Sequence, residues 1–258
     1  MGGEGPFASH ILMAMAAGGP NQVSAVQAVV DHLRASVHRG DYGSGAKLPP
    51  ERDLAGELNV SRMTLRQAIR ILVDLGYLTS RRGAHGGTYV TALEQPYRQW
   101  LQAMREDQDK LEDILEYRIA TERRAAKLAS RRRTADDLSE MRRAIDVMAV
   151  ARDRLGFRQS DSLFHRAVAA ASRSQRLSAA IETARGELFM QTDHLIYAEL
   201  VEETMEQHRR ILEAIEARDE DAAAAAAEAH LEATRCELQR LLSEPAETLT
   251  GCEHEPTR

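Results

Sequence analysis

Residues 48–90 read LPPERDLAGELNVSRMTLRQAIRILVDLGYLTSRRGAHGGTYV, and this stretch decides the fold of the first third of the chain. Pro50 stands where the first turn of a helix tolerates proline, and Ser61 is a favourable N-cap for a second helix. Gly76 ends that second helix. Residues 77–80 and 88–90 then predict two short strands, joined by a glycine-rich basic loop. The stretch therefore predicts a helix-turn-helix followed by a β-hairpin.

A further helix is predicted immediately before this stretch. Residues 24–39 have valine and leucine at helical spacing, and the glycines that follow at positions 40, 43 and 45 end the pattern in a loop. Three helices and a basic hairpin together are typical of a winged helix-turn-helix.

The arginines of the second helix in the motif suggest that it binds DNA. Arg62 and Arg66 are one turn apart, so both project from the same surface of the helix. A guanidinium at that position can donate to two acceptors of guanine or to a phosphate. Arg81, Arg82 and His85 on the hairpin can reach the DNA backbone or the minor groove. The alternative for any single arginine is a solvated helix face.

Composition supports the same division of the chain. Residues 21–92 contain nine Lys or Arg against six Asp or Glu, whereas the whole chain has a net charge of −6. A small basic module before a larger acidic one indicates that the first meets a polyanion. Two cysteines form no disulfide framework and fit a reducing cytoplasm, and no apolar run reaches the length of a membrane span. A membrane protein and a disulfide-rich secreted domain are thereby disfavoured.

The rest of the chain predicts an antiparallel helical bundle, so the fold class is mostly α. We expect a tail at residues 1–20, the winged helix-turn-helix at 21–92, a linker at 93–97, the helical domain at 98–243 and a second tail at 244–258. Within the helical domain, the periodicity predicts helices near residues 110–130, 136–155, 157–172, 175–197, 199–218 and 219–242.

Four titratable residues lie on the inward faces of these predicted helices. Asp161 and His165 are four positions apart on an apolar stripe, His208 shares its face with isoleucine and leucine, and His230 follows a run of alanines. A carboxylate and three imidazoles are donors that suit Zn²⁺, Ni²⁺, Mn²⁺ or Fe²⁺. Taken singly, each histidine could equally be a hydrogen-bonded core residue, and Asp161 with His165 an ion pair.

The first module resembles the GntR superfamily of bacterial transcription regulators. The resemblance rests on LPPERDLA, VSRMTLRQAIRILVDLGYL and GGTYV, and it covers about seventy residues. It implies that six residues contact operator DNA, the last two at the wing tip: Arg52, Arg62, Thr64, Arg66, His85 and Gly86. Met63 departs from the small polar residue that the family often has, which implies a lost phosphate contact or an altered base preference.

The second module is similar to the helical ligand domain of the FadR branch, the type called FCD. The similar segments are RIATERRAAKLAS (118–130), DSLFHRAVAAAS (161–172), EQHRRILEAIEARDEDAA (206–223) and AHLEAT (229–234). The resemblance implies that four residues bind a divalent metal ion, with Zn²⁺ the ion we expect to find: Asp161, His165, His208 and His230. Arg118 is the candidate contact for the carboxylate of an effector, and an ion pair with Glu122 is its alternative.

These features together predict a homodimeric transcription regulator, most often a repressor in this family. A small carboxylate metabolite would bind at the metal site and lower the affinity for double-stranded operator DNA. Three alternatives stay open: a direct metal sensor, a metalloenzyme, and a DNA-binding protein with an inert helical dimer domain. The metalloenzyme is disfavoured because no general base accompanies the donors and the basic module would have no role.

Overall fold

The computed structural model describes residues 24–83, 86–188 and 197–243, which divide into two compact units. The first unit contains the described residues up to Trp100 and a segment that starts at Glu182, and the second contains the remainder. The helices are α1 (Ala25–His38), α2 (Glu51–Glu57), α3 (Arg62–Asp74), α4 (Glu94–Glu106), α5 (Gln108–Arg132), α6 (Ala135–Ala149), α7 (Arg154–Ala171), α8 (Gln175–Glu187), α9 (Tyr197–Glu216) and α10 (Glu220–Ser243). The strands are β1 (Leu78–Arg81) and β2 (Gly87–Val90).

The first unit contains the predicted winged helix-turn-helix. Helix α3 packs against α1 and α2 and buries Leu65 and Leu72, which are at most 1% exposed. Ser61 caps α3 by accepting a hydrogen bond from the backbone N–H of Thr64 at 3.0 Å. Gly76, with φ +79°, lies just beyond the end of α3, where the left-handed conformation favours glycine.

The wing is a two-stranded antiparallel hairpin. Leu78 pairs with Val90 and Arg81 with Gly87, so each strand lies within one residue of its predicted position. A Cβ on Gly87 would lie 2.5 Å from Cε of Lys47, and Lys47 also forms an isolated bridge with Tyr89. The loop before α2 is therefore held against the second strand of the wing.

The segment 93–97, expected to be a linker, is mostly helical. Helix α4 begins at Glu94, so only residue 93 of that segment lies outside it. Pro96 did not prevent the helix, because the first N–H groups of a helix have no intrahelical partner and proline removes nothing there.

The last turn of α8 belongs to the first unit, and two of its carbonyl groups form hydrogen bonds with side chains of that unit. The carbonyl of Gly186 accepts from Nδ1 of His38 at 2.8 Å, and that of Glu187 accepts from Nε1 of Trp100 at 2.9 Å. A Cβ on Gly186 would clash with Cβ of Ala35. Glycine at this position therefore lets the two helices come close.

The second unit is the expected helical bundle. Helix α5 packs against α7 and α10, α6 against α7 and α9, and α9 against α10. Its core is apolar and includes fully buried Met141, Phe164 and Ile215. The alanine run at the start of α10 places Ala223 and Ala227 in this core, where small side chains let neighbouring helices approach. Among the described residues, no helix is long and apolar enough to span a membrane.

Two predicted helices end earlier than expected within the described residues. Helix α6 ends at Ala149 rather than near residue 155, because Asp153 caps the next helix by accepting from the N–H of Gly156 at 2.7 Å. Helix α8 ends at Glu187, and residues 189–196 of the segment predicted to continue it lie outside the described residues. Apolar periodicity alone did not reveal the end of α6.

Candidate functional site

The predicted DNA-contacting residues on α3 lie at its exposed N-terminal end. Arg62, Met63 and Arg66 are exposed, whereas Leu65 between them is fully buried. Thr64 is half-buried, and its hydroxyl forms a hydrogen bond of 2.8 Å with the hydroxyl of Ser61. The cap thus fixes the first turn of the helix, from which side chains reach base edges in helix-turn-helix proteins.

Two of the arginines predicted to contact DNA, Arg52 on α2 and Arg66 on α3, form exposed ion pairs. Nε of Arg52 lies 2.9 Å from a carboxylate oxygen of Asp53, and Nε of Arg66 lies 2.6 Å from one of Glu51. Exposed pairs of this kind contribute at most about 1 kcal/mol. Both guanidinium groups can therefore exchange their carboxylate partners for phosphates at little cost.

The wing has a backbone hydrogen bond between Gly86 and Gly83 and one arginine stacked on a tyrosine ring. The N–H of Gly86 donates to the carbonyl of Gly83 at 2.8 Å, and a Cβ on Gly86 would lie within 3.0 Å of two carbonyl oxygens. The guanidinium of Arg81 lies 4.7 Å from the centre of the Tyr89 ring. His85, the other residue predicted at the wing tip, lies outside the described residues.

The structure brings the four predicted metal donors together in the second unit. Asp161 and His165 come from α7, His208 from α9 and His230 from α10, and one donor atom of each lies within 4.8 Å of the others. The three histidines are at most 5% exposed, whereas the Asp161 side chain is 20% exposed. Asp161 is therefore the member of the cluster nearest to solvent.

The same ring nitrogen, Nε2, points into the cluster from each histidine. Nε2 of His165 lies 3.2 Å from Nε2 of His230 and 3.6 Å from Oδ1 of Asp161. Nε2 of His208 lies 3.4 Å from the same oxygen. The ring of His208 also stacks on Phe164, with ring centres 4.2 Å apart, so the apolar core holds its orientation.

Two further side chains hold the outer nitrogens of two of these rings. Oε2 of Glu122 lies 2.5 Å from Nδ1 of His165. Oε1 of Gln207 lies 2.7 Å from Nδ1 of His230. Because a carboxylate and an amide oxygen only accept, both Nδ1 atoms carry the hydrogen.

Electrostatics keep His230 neutral. Burial lowers the pKa of His230 to about 3, and the neighbouring His165 adds to that effect. A neutral imidazole has one nitrogen lone pair, and in His230 it is on Nε2, which faces the cluster. That is the form in which histidine binds a metal ion.

The distances fit a first-row divalent cation. With donor distances of about 2.1 Å, tetrahedral donors are roughly 3.4 Å apart and adjacent octahedral donors about 3.0 Å apart. The separations of 3.2 and 3.4 Å fall in that range, and the 3.6 Å between Nε2 of His165 and Oδ1 of Asp161 lies slightly above it. Three imidazoles and one carboxylate match the donors that such ions take in proteins.

Arg118 lies next to the cluster but is already engaged. Its Nε donates to Oε1 of Glu122 at 2.9 Å, and both side chains are at most 7% exposed. The alternative to an effector contact, an ion pair four residues apart, is thus present, although it is buried rather than on the surface. Arg118 as an effector contact stays a prediction.

A small cavity adjoins the cluster, and most of its lining is apolar. Its walls include the side chains of Phe164, Val168, Ile181 and Ile211, and the polar wall groups Glu122, His165 and His230 belong to the cluster or touch it. None of the described residues that line it carries a lysine or arginine charge. An acid bound in this cavity would therefore rely on the cluster for its polar contacts.

Sequence periodicity missed two groups at this site. Gln207 lies one residue from His208, about 100° around the helix, so the inward pattern that includes His208 does not include it, and it meets His230 instead. Glu122 stands in the sequence four residues after Arg118, and that spacing predicts only an ion pair. The signal that could have identified Glu122 is its place on a helix face whose neighbours, Ala125 and Ala126, are fully buried.

Two known families match the chain. Residues 25–90 match the gntR family of bacterial regulatory proteins, and residues 113–233 match the FCD domain. Together these ranges include every predicted DNA-contacting residue and all four cluster residues.

Curated relatives have similar lengths and similar names. The "Putative L-lactate dehydrogenase operon regulatory protein" of Escherichia coli is 34% identical over 82% of this chain and 85% of its own. The Exu regulon transcriptional regulator of the same organism is 30% identical, over 82% and 83%. The galactonate operon transcriptional repressor, also from E. coli, is 28% identical, over 77% and 90%.

A solved structure shares the fold. E. coli McbR/YncC has a TM-score of 0.54 and 22% identity, covering 85% of this chain and 99% of its own. At this identity the likeness concerns the fold alone.

Proposed function

The chain belongs to the gntR family of bacterial regulatory proteins and carries an FCD domain, and on this premise we propose that its FCD domain senses a small organic acid at a metal site. Asp161, His165, His208 and His230 would hold the ion, and occupation by the acid would lower the affinity for operator DNA. The protein is a DNA-binding transcription regulator, and its relatives are regulators rather than enzymes.

One observation carries the proposal: two lone pairs face each other inside the cluster. His165 and His230 each carry a hydrogen on Nδ1, so when both rings are neutral their Nε2 atoms are both acceptors, 3.2 Å apart. Two acceptors at that distance repel each other unless a positive charge lies between them. The carboxylate of Asp161 beside them increases the preference for a cation.

When bound, a divalent ion supplies positive charge and open coordination positions for a carboxylate or hydroxyl group. The walls of the cavity are mostly apolar, so ionic contacts there would be stronger than in bulk water. Two relatives are named for the L-lactate dehydrogenase operon and the galactonate operon. L-Lactate and galactonate are hydroxy acids, and we propose a ligand of that chemical class.

Repression and dimerisation follow as further parts of the proposal. One relative is named a repressor, and we extend that role to this chain. Winged helix-turn-helix regulators bind two-fold operators as dimers, because the symmetry of the protein matches that of the DNA. The acid would act by binding one arrangement of the dimer more tightly than another, with a coupling of about 1–3 kcal/mol.

The experiment that tests the metal site is metal analysis of His208→Ala beside the wild type. We expect the variant to lose most of its bound metal and its response to hydroxy acids in operator binding. His32→Ala, a histidine of α1 in the first unit, is the matched control and should retain both. Equal metal content in His208→Ala and wild type would remove His208 from the site.

A second titration separates the acid sensor from the direct metal sensor. Metal is added to chelator-treated protein, and operator binding is followed by fluorescence anisotropy with and without L-lactate or galactonate. The proposal expects release of DNA only when acid is added. Release by metal alone at micromolar free ion or below would establish the direct metal sensor instead.

A further inference from the structure

Two side chains outside the donor set, Glu122 and Gln207, each contact one histidine of the cluster. Each lies on a different helix, α5 for Glu122 and α9 for Gln207. We infer that both are positioning residues, which fix the tautomer of His165 and His230 so that Nε2 of each ring is held as an acceptor toward the ion. This inference rests on the metal site proposed above.

The chain of contacts to His230 leaves a single arrangement of hydrogens. Nε2 of Gln207 donates to Oε1 of Glu203 at 3.2 Å. Because a carboxylate only accepts, the NH₂ group of the amide must point at Glu203 and the carbonyl oxygen must point at His230. That oxygen, 2.7 Å from Nδ1, requires a hydrogen on Nδ1 and leaves the lone pair on Nε2.

The contacts to His165 fix its hydrogens in the same way, but here the partners are charged. Nε of Arg118 donates to one oxygen of Glu122, and the other oxygen lies 2.5 Å from Nδ1 of His165. Arg118 thus holds the carboxylate in place, and the carboxylate orients the ring. All three side chains are at most 7% exposed, so water does not compete effectively for these hydrogen bonds.

The two sets of contacts have a common consequence. An imidazole in water exchanges between two tautomers, and only one of them directs a lone pair from Nε2. Metal binding must otherwise select this tautomer, which costs free energy. Contacts that fix the tautomer in advance remove that cost. Partners of this kind typically contribute a factor of about 10 to 100 in metal affinity.

The test compares zinc affinities by competition with a chromophoric chelator for the full-length wild type and three variants. Gln207→Leu removes the acceptor, and we expect the affinity to fall about tenfold or more. Gln207→Glu restores an acceptor and should bring the affinity back to within about threefold of wild type. Gln239→Leu is the matched control, since Gln239 also donates to a glutamate, Glu112, at 2.8 Å, but on the surface and outside the cluster. Its affinity should be unchanged.

A second readout does not depend on metal. Nitrogen-15 labelling of the histidines distinguishes the two tautomers by NMR in chelator-treated protein. We expect the Nδ1–H form for His165 and His230 in wild type, and a mixture for His230 in Gln207→Leu. A folded Gln207→Leu with wild-type zinc affinity, or His230 of the wild type in the Nε2–H form, would overturn the inference.

The two proposals fail in different ways. Wild-type protein that binds no zinc but shows both Nδ1–H tautomers would refute the metal site and leave the positioning of the rings established. Wild-type protein that binds zinc with the same affinity as Gln207→Leu would retain the metal site and refute the role of Gln207. If Gln207→Leu does not fold, the NMR measurement on the wild type still decides the tautomer.

Discussion

Replacing Glu237 by glutamine should make the protein more stable at alkaline pH and leave its stability nearly unchanged at acidic pH. Glu237 is half-buried on α10, seven residues after His230, and one of its carboxylate oxygens is buried without a hydrogen-bond partner among the described residues. Burial raises the pKa of Glu237 to about 7. Arg240 opposes the shift, and the carboxylates of Glu203 and Asp161 add to it.

The direction of this pH dependence follows from the pKa of Glu237 in the unfolded and in the folded chain. The unfolded chain releases this proton near pH 4.5, its ordinary value, whereas the folded chain retains it until about pH 7. The free energy of unfolding of the wild type therefore falls as pH rises through that window. The full shift would correspond to about 3 kcal/mol, and because the side chain is partly exposed we expect about 1 kcal/mol.

Urea denaturation at pH 5 and pH 8, with a chelator present, measures this effect. The free energy of unfolding of Glu237→Gln, relative to that of the wild type, should be about 1 kcal/mol higher at pH 8 than at pH 5. This corresponds to about 2–4 °C in midpoint temperature. Glu213→Gln, which removes an exposed carboxylate from α9, controls for the general change in net charge. The same pH dependence in Glu237→Gln and wild type would show that Glu237 is ionised normally and refute the reasoning.

Three further predictions concern DNA and metal. Arg62→Ala should lower the affinity for the specific operator by about tenfold or more. Its circular dichroism spectrum should be unchanged, because Arg62 is exposed. A wild-type Kd for the variant, measured by fluorescence anisotropy, would count against Arg62 as an operator contact. Met63 is 66% exposed and can contact a thymine methyl group, so selection of binding sites from random DNA should give Met63→Thr a different base preference. Replacing the contacted thymine by uracil should then weaken DNA binding by the wild type but not by Met63→Thr. Chelator treatment should leave the helical circular dichroism signal intact while lowering the midpoint temperature, and complete unfolding on chelation would contradict this.

Local sequence signals were sufficient for the first unit. The N-cap Ser61, the stop at Gly76 and the two short strands were all readable because each depends on residues within a few positions of one another. The wing was predicted within one residue for the same reason, since a hairpin register is set by its turn. The start of α4 was missed because proline and glutamate there suit a linker as well as a first helical turn.

The bundle was predictable in its faces and not in its lateral contacts. Periodicity placed Asp161, His165, His208 and His230 inward, and inward faces of packed helices necessarily meet. Which of them approach within hydrogen-bond distance depends on the rotation and shift of one helix against another, which no local pattern encodes. Periodicity therefore predicted the inward faces, and the resemblance to the FCD domain implied that the four residues meet, whereas the contact between Gln207 and His230, on two different helices, could not be predicted.

The protonation state of the cluster bears on what kind of metal site these four residues would form. A structural zinc site folds its domain, because the unloaded donors cannot be buried without the ion. Here the bundle has a large apolar core of its own, and the buried donors are imidazoles, of which His230 is neutral when unloaded. Burying a neutral hydrogen-bonded ring costs far less than burying a charge. The charged donor, Asp161, is the one at the solvent side, so the unloaded domain avoids the most costly burial. A bundle that stays folded in both states can exchange its ligand without unfolding, and a regulator that responds to a changing metabolite concentration requires that property.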